Sequence, residues 1–240
     1  MFRARRVEEN RNYSTTEIFH IPFNFRYNIE SSRYSIAGFP CLYLSSSLKL
    51  CLEELDYKIN SGRYIASRFN INVNNCELRI FDLGIKPKDF EFVEYEGKTQ
   101  RRKDLINRDD ITKESYFKNY MIWYPFIASC SFTRVNKKDK FFPEYILPQL
   151  LMEKLNRYTE RKKLLVGVRY FSCSSNLASE MGFNYAFPAS IYKKINANFL
   201  SDKLSNIFSL TTPILLNEYE DLESCQNKLL EMNLKDLPNH

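Results

Sequence analysis

Apolar residues recur along this chain in short runs separated by polar stretches, and their spacing predicts a mixture of strands and helices. Leu48, Leu52, Leu55 and Ile59 fall four, three and four residues apart, which at about 100° per residue keeps the last three within about 40° of the first. A helix is predicted there, with Ser45, Ser46 and Ser47 as available N-caps. A second helix is predicted over 144–161, where Leu147, Leu150, Leu151, Leu155 and Tyr158 form one broad face and Pro148 is tolerated only near the start. Short strands are predicted at Cys41–Leu44, at the alternating segment Cys76–Leu83, at Leu164–Val168 and over 182–188. Ile18–Phe23 reads as extended, with Phe19, Ile21 and Phe23 on one face and His20 on the other, so His20 is expected to be structural or on the surface. The pattern is that of an α+β domain of mixed short strands and packed helices. Residues 1–190 would form the main domain, with a polar insertion near 87–118. Residues 191–240 would be a C-terminal helical extension, mixed helix and loop, packed on the same domain.

With 240 residues and 44% hydrophobic content, the chain can bury roughly 70–75% of its unfolded surface, so one core needs no staples. The six cysteines (Cys41, Cys51, Cys76, Cys130, Cys173, Cys225) lie far apart among apolar neighbours, as reduced thiols in a cytoplasmic protein do. Two histidines give little material for a zinc site, and no metal is expected. The net charge of +6 is spread through interleaved acids and bases, and the basic runs at Arg3–Arg6, 101–103 and 161–163 carry only three charges each. This balance is compatible with anionic ligands and equally with an ordinary solvated surface, and nucleic acid binding is not expected. Met121–Cys130, the longest apolar run, stops at ten residues, half of what a membrane span needs (about 20). The start, Met1–Arg6, lacks an apolar stretch after its basic residues, so no secretory signal is expected.

Six glycines leave no room for a glycine-rich phosphate loop, and neither a zincin nor a nucleophile-elbow motif is present. Arginine, tyrosine, glutamate and serine remain as the available chemistry. An arginine can fork onto a pyrophosphate, a tyrosine can stack on a flat ring, and a glutamate can stabilise positive charge at a sugar carbon. Glu53 and Glu54 flank the far side of the first helix. Cys51 extends its apolar face toward Glu54, which is therefore slightly better placed to line a cleft.

The order of these residues resembles the RES domain, best known as the toxin half of RES-Xre toxin-antitoxin pairs. The resemblance begins at Phe2-Arg3-Ala4-Arg5, runs from Arg33 through Tyr43 and reaches Ser47–Leu55. It resumes at Gly167-Val168-Arg169-Tyr170-Phe171-Ser172 and closes over 182–187. It implies an ADP-ribosyltransferase-like fold and an NAD-degrading activity that releases nicotinamide by hydrolysis or by phosphorolysis, with inorganic phosphate as co-substrate in the second case. It also implies an Xre-type antitoxin as partner and leaves homo-oligomerisation open. By this likeness Arg33 would bind phosphate, Tyr43 would pack near the nicotinamide-side ribose or ring, and Glu54 would stabilise the oxocarbenium-like ribose. Ser172 would hydrogen-bond in the same region. A shift of one residue would place Glu53 at the family's glutamate. The usual Gly-Arg-Trp is Ser32-Arg33-Tyr34 here, and the usual Tyr-Pro-Ser is Tyr170-Phe171-Ser172. Two other functions remain on the table: a non-enzymatic nucleotide-binding or interaction module, and a transferase moving ADP-ribose onto a macromolecule.

Overall fold

The computed structural model describes residues 1–9, 11–55, 62–72, 78–85, 94–95, 98–99, 113–133, 141–162, 165–173, 178–189, 199–216 and 221–237. In chain order its elements are β1 (Phe2–Val7), α1 (Thr15–Ile18), a 3-10 segment (Phe23–Asn28), β2 (Cys41–Ser45), α2 (Leu48–Glu53), β3 (Arg63–Ile71) and β4 (Arg79–Asp82). A small hairpin, β5 (Glu94–Tyr95) and β6 (Lys98–Thr99), precedes α3 (Lys113–Cys130), α4 (Ile146–Lys162), β7 (Leu165–Phe171) and β8 (Phe183–Pro188). The chain continues through α5 (Asp202–Ile207), β9 (Phe208–Leu210), β10 (Ile214–Leu216), α6 (Leu222–Glu231) and β11 (Lys235–Asp236). The class is α+β.

One mixed sheet runs in the order β11-β9-β3-β1-β2-β8-β7-β4, with β10 also on β3. Among the described strands of this sheet only β4 and β7 pair in parallel. One face is covered by a single apolar cluster in which Ile18, Phe19, Phe23, Leu204 and Phe208 pack on Leu42, Leu44, Ile65 and Phe69. The opposite face carries two separate clusters. In one, α2 and α6 (Leu48, Cys51, Leu52, Cys225, Leu229) cover Phe2, Ala4 and Ala66. In the other, α3 and α4 (Tyr120, Ile127, Cys130, Met152, Leu155) cover Cys41, Val168 and Ala186, with Tyr34 fully buried among them.

Several expectations need correction. Ile18–Phe23 is not extended: Ser14 donates its N–H to Glu17, which starts a short helix through Ile18, and Ile18, Phe19 and His20 are all buried. The first predicted helix ends at Glu53. Leu50 is as buried as Leu48 and Leu52, so the helix is packed on more than one side, while Leu55 lies exposed and Ile59 falls outside the described residues. In α4 the buried line is Tyr145, Pro148, Met152 and Leu155, whereas Leu147 and Leu150 face outward. The spacings of three, four and three turn the helix away from its most leucine-rich side. The C-terminal segment is not simply helical, since β9 and β10 both pair with β3 in the main sheet. The polar insertion near 87–118 lies mostly outside the described residues.

Candidate active site

The two edges of β1 are treated differently. Toward β3 it pairs over its whole length, from Phe2 with Arg68 to Val7 with Arg63. Toward β2 it pairs at one position, Phe2 with Ser45. Had that ladder continued, Ala4 would face Tyr43. The Ala4 N–H instead donates to the Cys51 thiol at 3.0 Å, and the Tyr43 carbonyl accepts from Arg3 Nη1 at 2.8 Å. Two side chains thus satisfy these two backbone groups of the fork, and the sheet can part without stranding them.

A cavity of about 480 Å³ is lined by residues from both arms of this fork. Its walls are Arg3 and Ala4 of β1, Tyr43 and Ser45 of β2, Cys51 of α2 and Glu54 at its C-cap, and Tyr170, Cys173 and Asn184 around the ends of β7 and β8. Arg33 and Tyr145 also line it. Three of the four residues singled out in the sequence, Arg33, Tyr43 and Glu54, therefore meet here. Ser172 does not line this cavity. It is 3% exposed and lies in sequence between Tyr170 and Cys173, which do line the cavity; β7 ends at Phe171, so alternation no longer governs which side chain faces in.

Arg33 stands at the tip of a tight turn closed by Ser32 N–H to Ser35 O (2.8 Å) and Ser35 N–H to Ser32 O (3.2 Å). Gln149 braces the turn by donating to Ser31 Oγ and the Ser32 carbonyl. The guanidinium donates to the Cys130 carbonyl at 3.1 Å and lies 5.2 Å from the Tyr145 ring centre, leaving donors over for a ligand. The Tyr43 hydroxyl contacts Ser32 Oγ (2.7 Å) and Ser35 Oγ (3.2 Å) and accepts from the Tyr34 N–H (3.3 Å). Burial holds this phenol well above its ordinary pKa. Tyr43 thus offers the cavity a ring, not a base.

Glu54 caps the C-terminus of α2, and its carboxylate accepts from Asn184 Nδ2 at 2.6 Å. Glu53, one residue earlier, is not part of the lining. Asn184 in turn accepts from Ser45 Oγ at 2.7 Å. The approach of β8 requires Gly182, at φ +140°, where an added Cβ would lie 2.2 Å from Ser46 Oγ.

Three contributors escaped the reading of the sequence. Arg3 has a buried Nε with no partner, and desolvation pushes its guanidinium below its ordinary pKa. A buried guanidinium with a donor left over at a cavity wall, and no ion pair of its own, is suited to holding an anion. Its position in an alternating first strand gave no sign of this. Tyr170, whose ring lies 4.4 Å from that of Tyr34, is kept neutral first by burial and then by the neighbouring Glu54 carboxylate. Asn184 was visible only as a residue of a strand. The thiols are not poised as nucleophiles: burial raises Cys51 to about 11 and Cys41 and Cys130 to about 12. Among the described residues no group of His, Cys, Asp and Glu could hold a metal ion, and no helix is long and apolar enough to cross a membrane.

His20 is structural. Its Nδ1 contacts the Ile21 carbonyl at 2.8 Å, its Nε2 accepts from the Ser201 N–H at 2.9 Å, and burial lowers its pKa to about 4.

The chain is similar to a Bacillus subtilis (strain 168) protein named "Putative toxin YopC". The two are 31% identical over 191 residues, which make up 78% of this chain and 40% of the relative. The chain thus spans about 40% of the length of the curated relative it matches. No family model and no solved structure matches it.

Proposed function

We propose that this protein is an NAD-degrading enzyme of the RES kind that cleaves the bond between nicotinamide and ribose, and that it acts as a toxin. The observation that carries the reading is the pairing, on one cavity, of a carboxylate held by a neutral amide (Glu54 with Asn184) and two guanidiniums, Arg3 and Arg33. The guanidiniums suit a pyrophosphate and the carboxylate suits a cationic sugar carbon. The similarity to a protein named as a toxin supports the biological role.

In this scheme Arg33 and Arg3 fix the pyrophosphate, and the Tyr43 ring packs beside the nicotinamide-side ribose. Nicotinamide departs with the electron pair of the C–N bond, and the unpartnered Glu54 oxygen faces the oxocarbenium-like carbon left behind. Water or inorganic phosphate then adds to that carbon, water losing a proton to solvent. No metal or redox partner enters the balance. An Xre-type partner would hold the activity in check.

Incubating the purified protein with NAD, with and without inorganic phosphate, tests the reading. Free ADP-ribose identifies hydrolysis, and its phosphorylated form identifies phosphorolysis. ADP-ribose attached to a macromolecule would identify transfer, and intact NAD would leave a binding module and sink the enzymatic reading.

A further inference from the structure

We infer that Asn184 is the positioning residue for the Glu54 carboxylate and that Ser45 sets the direction of its amide. The inference rests on the role given to Glu54 above. Ser45 and Tyr170 are the register partners of Asn184 on β2 and β7, so the three form one row across the strands beneath the cavity. Ser45 Oγ donates to Asn184 Oδ1 at 2.7 Å, and Asn184 Nδ2 donates to Glu54 Oε1 at 2.6 Å. With Ser45 4% and Asn184 3% exposed, bulk water hardly competes for either bond. Reversing the amide would set its oxygen against the carboxylate, so the network admits one orientation.

Glu54 needs such a partner. It lies just past a six-residue helix and is largely exposed, so an unheld side chain would sample several rotamers. The partner is also of the right kind. A lysine or arginine at this point would cancel much of the carboxylate's field, whereas an amide orients the group and leaves its charge in place. One oxygen is held, and among the described residues no protein group bonds the other. A carboxylate fixed by one edge, with its full charge turned to the cavity, is preorganised for a cation that exists only in the transition state.

Asn184→Leu keeps the size of the side chain and removes the donor; Ser45→Ala frees the amide to turn. Asn184→Leu is expected to lower kcat for NAD consumption roughly 10- to 100-fold, the weight of a hydrogen bond to a charged group, with KM nearly unchanged. Ser45→Ala should move kcat in the same direction by less. The second readout needs no turnover: calorimetric binding of an ADP-linked iminoribitol, a cationic mimic of the ribosyl oxocarbenium. Its affinity should fall in Asn184→Leu by about as much as kcat, while NAD affinity holds. Equal mimic binding by parent and variant would overturn the inference, as would a parallel loss of NAD and mimic affinity. If Asn184→Leu does not fold, Ser45→Ala decides, and unchanged kcat and mimic affinity there overturn the inference. A parent protein that binds NAD but neither turns it over nor prefers the mimic would instead overturn the role of Glu54.

Discussion

The two faces of the sheet are built to different ends. On one, a single apolar cluster runs without interruption under α1, the 3-10 segment and α5. On the other, the cluster under α2 and α6 and the cluster under α3 and α4 stay apart, and the cavity lies between them. The same strands serve both: Leu42 and Leu44 pack on the first face, while Tyr43 and Ser45 line the cavity on the second. Period-two alternation therefore gives one side of β2 to the continuous core and the other to the cavity, and substitutions should separate the two.

The largest separation is expected at Glu54. Glu54→Gln should reduce NAD turnover by about 10² to 10³, by analogy with loss of one oxyanion-hole contact, and leave the circular-dichroism spectrum unchanged. Glu53→Gln should do little; if it is the inactive one of the two, the wrong acid has been assigned to the site.

The continuous face should answer to pH instead. The His20 pKa lies near 4 in the folded protein, below its ordinary 6.5, so the unfolded chain binds the proton more readily. This contribution is fully present above pH 6.5 and is lost as pH falls toward 4. The whole shift amounts to about 3 kcal/mol. Urea unfolding of the parent and of His20→Asn between pH 4 and 7 would measure it. A parent no more pH-dependent than the variant would show that His20 carries no such load.

A smaller effect is expected from Arg33→Ala, which should weaken NAD binding by about 1.5–3 kcal/mol, the range for hydrogen bonds to a charged group. Calorimetry giving an unchanged affinity would remove Arg33 from the anion site. The mildest is at the fork itself. Cys51→Ala leaves the buried Ala4 N–H without its acceptor and should cost about 1–3 kcal/mol of stability, whereas Cys51→Ser retains an acceptor and should cost less. Equal denaturation midpoints for the two variants would mean that the thiol does not serve the fork.

How much of this was legible follows from which forces the sequence exposes. Elements with one dominant periodicity, such as β2, α4, β7 and β8, stood out in the pattern. The nine-residue β3 did not, because Tyr64, Ile65, Ala66 and Ser67 are buried in succession between clusters on both faces and leave no alternation to see. Arg33, Tyr43 and Glu54 could be named because they stand in a recognisable order. Arg3 and Asn184 could not be given roles, because what matters about each is a partner brought in by the fold: the Tyr43 carbonyl for one, Ser45 and Glu54 for the other. Ser172 stands in the same order, but order alone cannot say where a strand stops, and β7 ends one residue before it.

The fork also sets a timetable during synthesis. Ala4 finds its strand partner at Ala66, but Tyr43 must wait for Ala186. At ribosomal speeds of about 5–20 residues per second, that interval is on the order of 10 s. During it the β1–β3 ladder can zip while the opposite wall of the cavity, with Asn184, has not yet been made. A nascent chain of this protein therefore carries Glu54 and both arginines for some time before the amide that bonds Glu54 has been made.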